Sequence, residues 1–316
     1  MKFKKTLILL TIVPLASCGG NVLNRNVYAF DTMNSIHLYE GEGKDLDELE
    51  KIIVNYDKLC DNYLSRDVNN VYTINNTHED VEISEDLYKL LQLSDTLTSE
   101  IEYFNIYCGK LAKIWKEALK TSQIPAESVI QEQLEIIKNT KLLFKENNVV
   151  QRVGDGEIDL GAISKGYVTC RMFDYFNSRS LKNYLVSLGD SSILLGDNGI
   201  NGHDLFDVGI STTGLSLNLD NCFISTSGIE HQSVTIGDKT YSHIVNPVTG
   251  NAVPLYDLVL VVAKKGYMGD VLSTVFMLSN LESIKALETK YESKAIVISN
   301  GKVVYSNPDL DVIKNG

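Results

Sequence analysis

The sequence predicts an α+β fold, with helices concentrated in the N-terminal half and mostly antiparallel mixed sheets in the C-terminal half. Two patterns carry that prediction. Between residues 45 and 137 apolar side chains recur at helical spacing, whereas from Val149 onward short β-type runs are separated by Gly, Asn and Asp turns. A third observation sets the scale: residues 19–316 are enough for one large core, and no internal repeat, low-complexity tract or linker divides them.

Taken in order, residues 1–18 read as a targeting segment. Lys2, Lys4 and Lys5 precede an apolar stretch, 7–15, that is too short for a bilayer span of roughly 20 residues. Leu15-Ala16-Ser17-Cys18 then resembles a bacterial lipobox, which implies a lipoprotein signal peptide, acylation of Cys18 and an extracytoplasmic protein lipid-anchored to a bacterial membrane. A plain secretory signal cleaved nearby is the alternative.

A strand is expected over 26–38, interrupted by the small polar stretch Thr32-Met33-Asn34-Ser35 where a ligand would approach. Residues 45–63 form the clearest helix: Leu46, Leu49, Ile52, Ile53, Tyr56 and Leu59 share one stripe, and Asp45, Asp47 and Glu48 suit the positive end of its dipole. A polar loop over 65–78 precedes a second helix, N-capped by Ser84 and running to 97. Helical segments follow at 111–119 and 127–137, separated by Pro125; the only Trp, Trp115, lies on the first, as core or as a ring-stacking wall. Strands are then expected at 149–153, 184–188, 192–195, 206–210, 222–225, 233–236 and 258–263, with helices at 164–178 and 267–289. A hairpin closes around Asn300-Gly301, and Gly237-Asp238 marks another.

Charge narrows the function. With 41 acids against 29 bases the net charge is −12, which argues against broad nucleic-acid binding. Cys60, Cys108, Cys170 and Cys222 form no C-x-x-C pair, so no structural zinc site is indicated; disulfides and buried thiols both remain open.

Three segments carry chemistry. Residues 158–167 read as a short strand, a Gly-containing turn and a helix start, with Asp159 before the turn and Lys165 inside it. That layout aims backbone N–H groups at a phosphate, but it also describes an ordinary strand-to-helix turn, and it matches neither a Walker A loop nor a dinucleotide fingerprint. Asp270 and Thr274 are four apart on a helix, which places both oxygens on one face. A carboxylate with a hydroxyl suits a hard cation such as Mg²⁺; a helix cap at Asp270 is the plainer alternative. Ser227 and His243, brought together through a hairpin, offer a weak nucleophile–base pair or a set of hydrogen bonds to a polar ligand.

Together these segments resemble the ApbE family of FAD:protein FMN transferases, in order along nearly all of the chain beyond the leader. Asp-Leu-Gly-Ala-Ile-Ser-Lys-Gly-Tyr at 159–167 is similar to the family's D-L-G-G-I-A-K-G-Y. Ser225-Thr226-Ser227-Gly228 and the segment 243–250 are similar to its S-T-S-G and H-I-I-D-P-x-T-G, and residues 270–274 to its A-D-A-L-S-T. Thr32-Met33 falls at its T-M-G-T and Leu111 to Trp115 at its L-W-G. The resemblance implies that Met33, Trp115, Asp159, Lys165, His243 and Ile244 line a FAD site, and that the Ala162 carbonyl, Asp270 and Thr274 hold Mg²⁺. It implies transfer of FMN from FAD to a Thr or Ser hydroxyl of an acceptor flavoprotein, of a membrane or extracytoplasmic electron-transfer system, with AMP leaving. Asp270 and His243 are the candidates for catalytic base. The same site would also serve a Mg²⁺-dependent FAD pyrophosphatase, and a non-catalytic flavin-binding lipoprotein is a third reading. The chain departs from the pattern at Asn34-Ser35 for Gly-Thr, Asn105 for Asp, Lys116 for the Gly after Trp, Gly189-Asp190-Ser191 for a Gly-Gly-Asn type turn, and Gly269 for Ala.

Overall fold

The computed structural model describes residues 22–198, 205–210, 213–230 and 232–314. The leader, with Cys18, lies outside the described residues. The chain opens with strands β1 (Leu23–Ala29) and β2 (Thr32–Leu38), then helix α1 (Gly43–Cys60), the short α2 (Val71–Asn75), the short strand β3 (Val81–Glu82), α3 (Glu85–Glu100), α4 (Gly109–Thr121) and α5 (Glu127–Lys138). Strands β4 (Lys141–Lys145) and β5 (Val149–Val153) lead to α6 (Ser164–Arg179). Next come β6 (Tyr184–Leu188), β7 (Ser192–Leu195), β8 (Phe206–Ile210), β9 (Leu215–Leu219), β10 (Cys222–Gly228), β11 (Ser233–Ile236), β12 (Lys239–Ser242) and β13 (Leu258–Ala263). The chain closes with α7 (Gly266–Phe276), α8 (Leu281–Tyr291), β14 (Lys294–Ser299), β15 (Lys302–Ser306) and β16 (Val312–Lys314).

The predicted α+β class holds. Its centre is an eight-stranded antiparallel sheet in the order β1-β2-β6-β7-β10-β13-β14-β15. Strand alternation builds a core on each face. Leu194, Phe223, Val259, Val261, Ala295 and Val297 point into the larger core, which includes α1, α6 and α7. Their neighbours Ile193, Leu195, Ile224, Leu260, Ile296 and Ile298 point the other way, against Phe206, Val208 and Leu217 of the three-stranded β16-β9-β8 sheet. Burial on both faces explains why these strands read as continuous apolar runs rather than as alternating ones.

Four local expectations change. The strand expected over 26–38 is a hairpin: Ala29 pairs with Thr32 across a two-residue turn in which Phe30 and Asp31 both have positive φ, 55° and 56°. Side chains do the work that glycine usually does there. The Phe30 N–H donates to Asp57 Oδ1 at 2.6 Å, and the fully buried Asn34 amide donates to the Val27 and Ala29 carbonyls at 3.0 Å each. Second, the helix expected over 267–289 is two, because the Asn280 side chain caps α8 by accepting the Ser283 N–H at 2.9 Å. Third, residues 158–160 are not a strand; the Asn75 amide takes the place of a neighbouring strand by bonding both the Ile158 N–H and its carbonyl, at 2.7 and 2.9 Å. Fourth, the 65–78 segment contains α2. Cys60, Cys108, Cys170 and Cys222 are all free thiols. No helix of the described residues is long and apolar enough to cross a membrane.

Candidate active site

The site forms where the N-terminus of α6 meets α7 and the sheet. The first N–H groups of a helix have no carbonyl one turn back to bond. Ile163 and Ser164 donate to the Leu160 carbonyl at 3.0 and 2.9 Å, and Gly166 donates to Asp270 Oδ2 of α7 at 2.6 Å. A carboxylate at this end of a helix is also favoured by the helix dipole. Diverting the Gly166 N–H leaves the Ala162 carbonyl with no hydrogen bond among the described residues. The approach requires glycine: a Cβ on Gly166 would sit 2.2 Å from the Gly266 carbonyl oxygen and 2.8 Å from Asp270 Cγ.

Asp270 is 6% exposed and almost saturated with donors. Its Oδ1 accepts the hydroxyls of Ser192 and Ser225, both at 2.7 Å. These serines face each other across the β7–β10 pairing and share a sheet face with Leu194 and Phe223. Ser227, two residues further along that face, bonds Ser273 Oγ at 2.9 Å and Thr274 Oγ1 at 3.3 Å. Burial pushes the Asp270 carboxyl above its ordinary pKa, against the pull of the Lys165 ammonium, the two serine hydroxyls and the Gly166 N–H. Lys165 is shifted the opposite way: burial pushes its ammonium below the usual lysine range, while Asp270 and Asp190 draw it back up. Its Nζ donates to Ser191 Oγ.

Two clefts meet at this point. The larger, about 580 Å³, is walled by the hairpin tip at Phe30, by Lys165, Thr226, Asp270 and Thr274, and by the Gly189–Ser191 turn. The smaller, about 290 Å³, is more apolar, with Phe104, Ala112, Ile244, Val245 and Pro247. They share Gly161, Ala162, Ser227, Gln232, His243 and Thr274, so they form one bent groove with the Ala162 and Thr274 oxygens at the bend. His243 stands at the mouth. Loss of water around its ring pushes its pKa down, a backbone bond to Gln232 opposes this, and the Lys165 and Lys116 ammonium groups add to the depression. The imidazole is therefore held neutral at neutral pH.

The structure thus brings together Asp159, Ala162, Lys165, His243, Ile244, Asp270 and Thr274. It does not bring in the other two. Trp115 is 1% exposed, stacks on Tyr241 at 5.5 Å and donates Nε1–H to the Gly250 carbonyl at 2.7 Å. It supports the loop that carries Ile244 to Pro247 from below, rather than lining the groove. Met33 is 57% exposed on β2 outside both clefts, and the adjacent Thr32 lines the larger one instead. Ser227 and His243 do not form a nucleophile–base pair, since the Ser227 hydroxyl is engaged by Ser273 and Thr274. Asp159 is held by the Gly161 N–H at 2.7 Å on the wall of the smaller cleft. Sequence reasoning missed Ser192 and Ser225. Ser225 opens the Ser-Thr-Ser-Gly motif without a role being assigned to it, and the signal for Ser192 is a serine at an inward position of an otherwise apolar strand.

The donor set tests the implied metal. Asp270, Thr274 and the free Ala162 carbonyl are all hard oxygens carrying one negative charge, and Oδ2 of Asp270 accepts only one hydrogen bond. That set fits Mg²⁺ completing its shell with water and phosphate oxygens. Among the described residues no group of three or more His, Cys, Asp or Glu could cage a metal by protein side chains alone.

Comparison with known proteins bears on the same residues. The model of the family described as the ApbE family matches residues 30–297. The chain is 26% identical over 236 residues to a protein of Klebsiella pneumoniae named FAD:protein FMN transferase, covering 72% of this chain and 74% of that one. It is 30% identical over 219 residues to a protein of the same name from Chlamydia pneumoniae, covering 65% and 67%. Among solved structures, the ApbE protein of Thermotoga maritima superposes with a TM-score of 0.78 at 20% identity, covering 91% of this chain and 97% of that one. A mutant form of the flavin transferase ApbE from Vibrio cholerae gives 0.75 at 17% identity, covering 92% and 98%.

Proposed function

Because the chain belongs to the ApbE family, we propose that it is a FAD:protein FMN transferase that moves FMN from FAD onto a Thr or Ser hydroxyl of an acceptor flavoprotein, with release of AMP. The observation that carries this reading is the bend of the groove. A buried carboxylate lacking a close cation, a hydroxyl one helical turn away and an unbonded carbonyl surround the point where a ring-sized apolar cleft meets a polar one. A dinucleotide with a ring system at one end and a pyrophosphate in the middle suits that shape.

Asp270, Thr274 and the Ala162 carbonyl would hold Mg²⁺, which when bound supplies charge neutralisation to the phosphate oxygens. Lys165, on the wall of the larger cleft, adds a cation to the site, and its pull on Asp270 opposes the upward push of burial. Ser192, Ser225 and the Gly166 N–H fix the orientation of the carboxylate before any ligand arrives. Neutral His243 at the mouth is able to accept the proton of the attacking hydroxyl. The apolar wall from Ile244 to Pro247 keeps water from one flank of the groove. The lipobox-like leader supports a further proposal: the enzyme is anchored by Cys18 outside the cytoplasm, beside membrane or secreted flavoproteins.

Incubating the protein with FAD, Mg²⁺ and a candidate acceptor tests the reading. Covalent flavin fluorescence on the acceptor, with stoichiometric AMP, is the expected result. Free FMN with AMP would show a pyrophosphatase, and intact bound FAD a binding protein.

A further inference from the structure

Thr274 belongs to a run of hydroxyls whose direction is fixed at one end. A serine or threonine inside a helix commonly donates back to a carbonyl three or four residues earlier. On α7 the Asp270 carbonyl accepts Ser273 Oγ in this way, at 3.0 Å. Thr274, one residue on, does not share that carbonyl: among the described residues its Oγ1 bonds only Ser227 Oγ of β10, at 3.3 Å. Ser227 Oγ in turn bonds Ser273 Oγ at 2.9 Å. Gly269 lets α7 and β10 come this close, since a Cβ there would sit 2.7 Å from Ser225 Oγ and 3.2 Å from Ser225 Cβ.

A hydroxyl has one proton to donate, and a carbonyl has none. Ser273 gives its proton to the Asp270 carbonyl, so in its bond with Ser227 it is the acceptor. Ser227 has then given its proton to Ser273, and it accepts from Thr274. The order runs from Thr274 to Ser227, to Ser273, to the Asp270 carbonyl. Thr274 therefore turns its proton into the protein and leaves its lone pairs for the bend, where it lines both clefts. Donation along such a chain also makes the first oxygen a better electron-pair donor. The opposite orientation would aim the proton at the bend, which repels a cation.

We propose that Ser227 and Ser273 are positioning residues for the metal site, acting through Thr274: together they hold its hydroxyl in the orientation that ligates a cation. The proposal rests on the reading of the site as a Mg²⁺-dependent transferase.

The test uses Mn²⁺, which oxygen ligands of this kind accept as they do Mg²⁺, and whose free-ion paramagnetic resonance signal reports binding directly. The ion is titrated into the protein with FAD present, and Tm is read on the same samples. Ser227→Ala and Ser273→Ala should each weaken binding about tenfold, the size of losing one outer contact to a metal ligand. Ser227→Thr, which keeps the hydroxyl, should bind as the wild type does. The double alanine variant should also lose about tenfold rather than about a hundredfold, since a relay cut once is already cut. Wild-type affinity in either alanine variant, losses that multiply in the double, or a loss in Ser227→Thr equal to that in Ser227→Ala overturns the relay and leaves the metal site standing. Wild-type affinity in Thr274→Val and Asp270→Asn alike overturns the metal site, and this proposal with it.

Discussion

At the start of α1, Asp45 accepts a backbone N–H on one oxygen, from Glu42 at 2.7 Å, and two side-chain donors on the other. On α7, Asp270 accepts the same complement: one N–H from Gly166 on Oδ2 and two side-chain donors on Oδ1. Both are buried; Asp45 lies in the first turn of α1, and Asp270, inside α7, packs against the first turn of α6. They differ in what the two side-chain donors are. Asp45 has the Arg179 guanidinium and the Tyr175 hydroxyl, at 2.8 and 2.7 Å, whereas Asp270 has two neutral serines. Burial raises the pKa of both carboxyls, but at Asp45 the Arg179, Tyr175 and Glu42 donors outweigh it and hold the value at about 2. At Asp270 burial wins and the carboxyl is raised. One site is a finished ion pair. The other is oriented like one but has no ion-pair partner among the described residues, and the Lys165 ammonium does not offset its burial, which is what the proposed Mg²⁺ would do.

The largest expected effect separates the two. Asp270→Asn keeps the side-chain shape and removes the charge. FMN transfer should fall on the order of 10³-fold, while stability to urea stays within about 1 kcal/mol of wild type. Transfer at the wild-type rate would show that Asp270 is another structural lock. Gly166→Ala should come next, since its new Cβ forces α6 from α7 against backbone and against Asp270 itself. Overpacking of this kind costs about 1–3 kcal/mol, and it should lower both Tm and the affinity for Mg²⁺. Asp45→Asn should cost about 2 kcal/mol at most, because Arg179 remains partly in water, and should leave transfer by the folded protein unchanged. A loss of transfer in that variant at a temperature where it is folded would break the contrast.

What the sequence made legible follows the same division. Strands such as β5, β6, β7, β8, β11 and β13 matched their expected bounds, because apolar runs between Gly, Asn and Asp turns leave little freedom in their ends. The β1–β2 hairpin was hidden, since Phe30-Asp31 carries no turn signal and is held in positive φ by Asp57 and Asn34, contacts made by distant or buried side chains. At the site, Asp270 and Thr274 could be paired from helical spacing, and Ala162 came from the resemblance alone. No spacing rule relates Ser192 to Ser225, which meet Asp270 only because β7 and β10 pair. At Trp115 the residue itself left core and ring-stacking wall both open and the resemblance implied lining; its indole is buried, donating to the Gly250 carbonyl.

The smallest effect is the most discriminating, because it concerns sign. A carboxyl whose folded pKa lies below its unfolded value adds stability that is present above the unfolded pKa and is lost as pH falls through the folded one. For Asp45 that window runs from about 3.8 down to about 2, so Asp45→Asn should flatten the acid limb of the wild-type stability curve there. For Asp270 the folded pKa is raised, so the unfolded chain releases its proton first, and ionising the buried group costs stability as pH rises from 3.8 through the folded value. Asp270→Asn should therefore gain on wild type as pH rises through that range, whereas Asp45→Asn loses ground between 2 and 3.8. Urea denaturation at a series of pH values reads both slopes. Added Mg²⁺ with FAD should then raise wild-type stability at neutral pH by mass action, and should do so weakly or not at all in Asp270→Asn. Slopes of the same sign in the two variants would mean that Asp270 is neutralised within the protein as fully as Asp45, leaving no place for a metal to act.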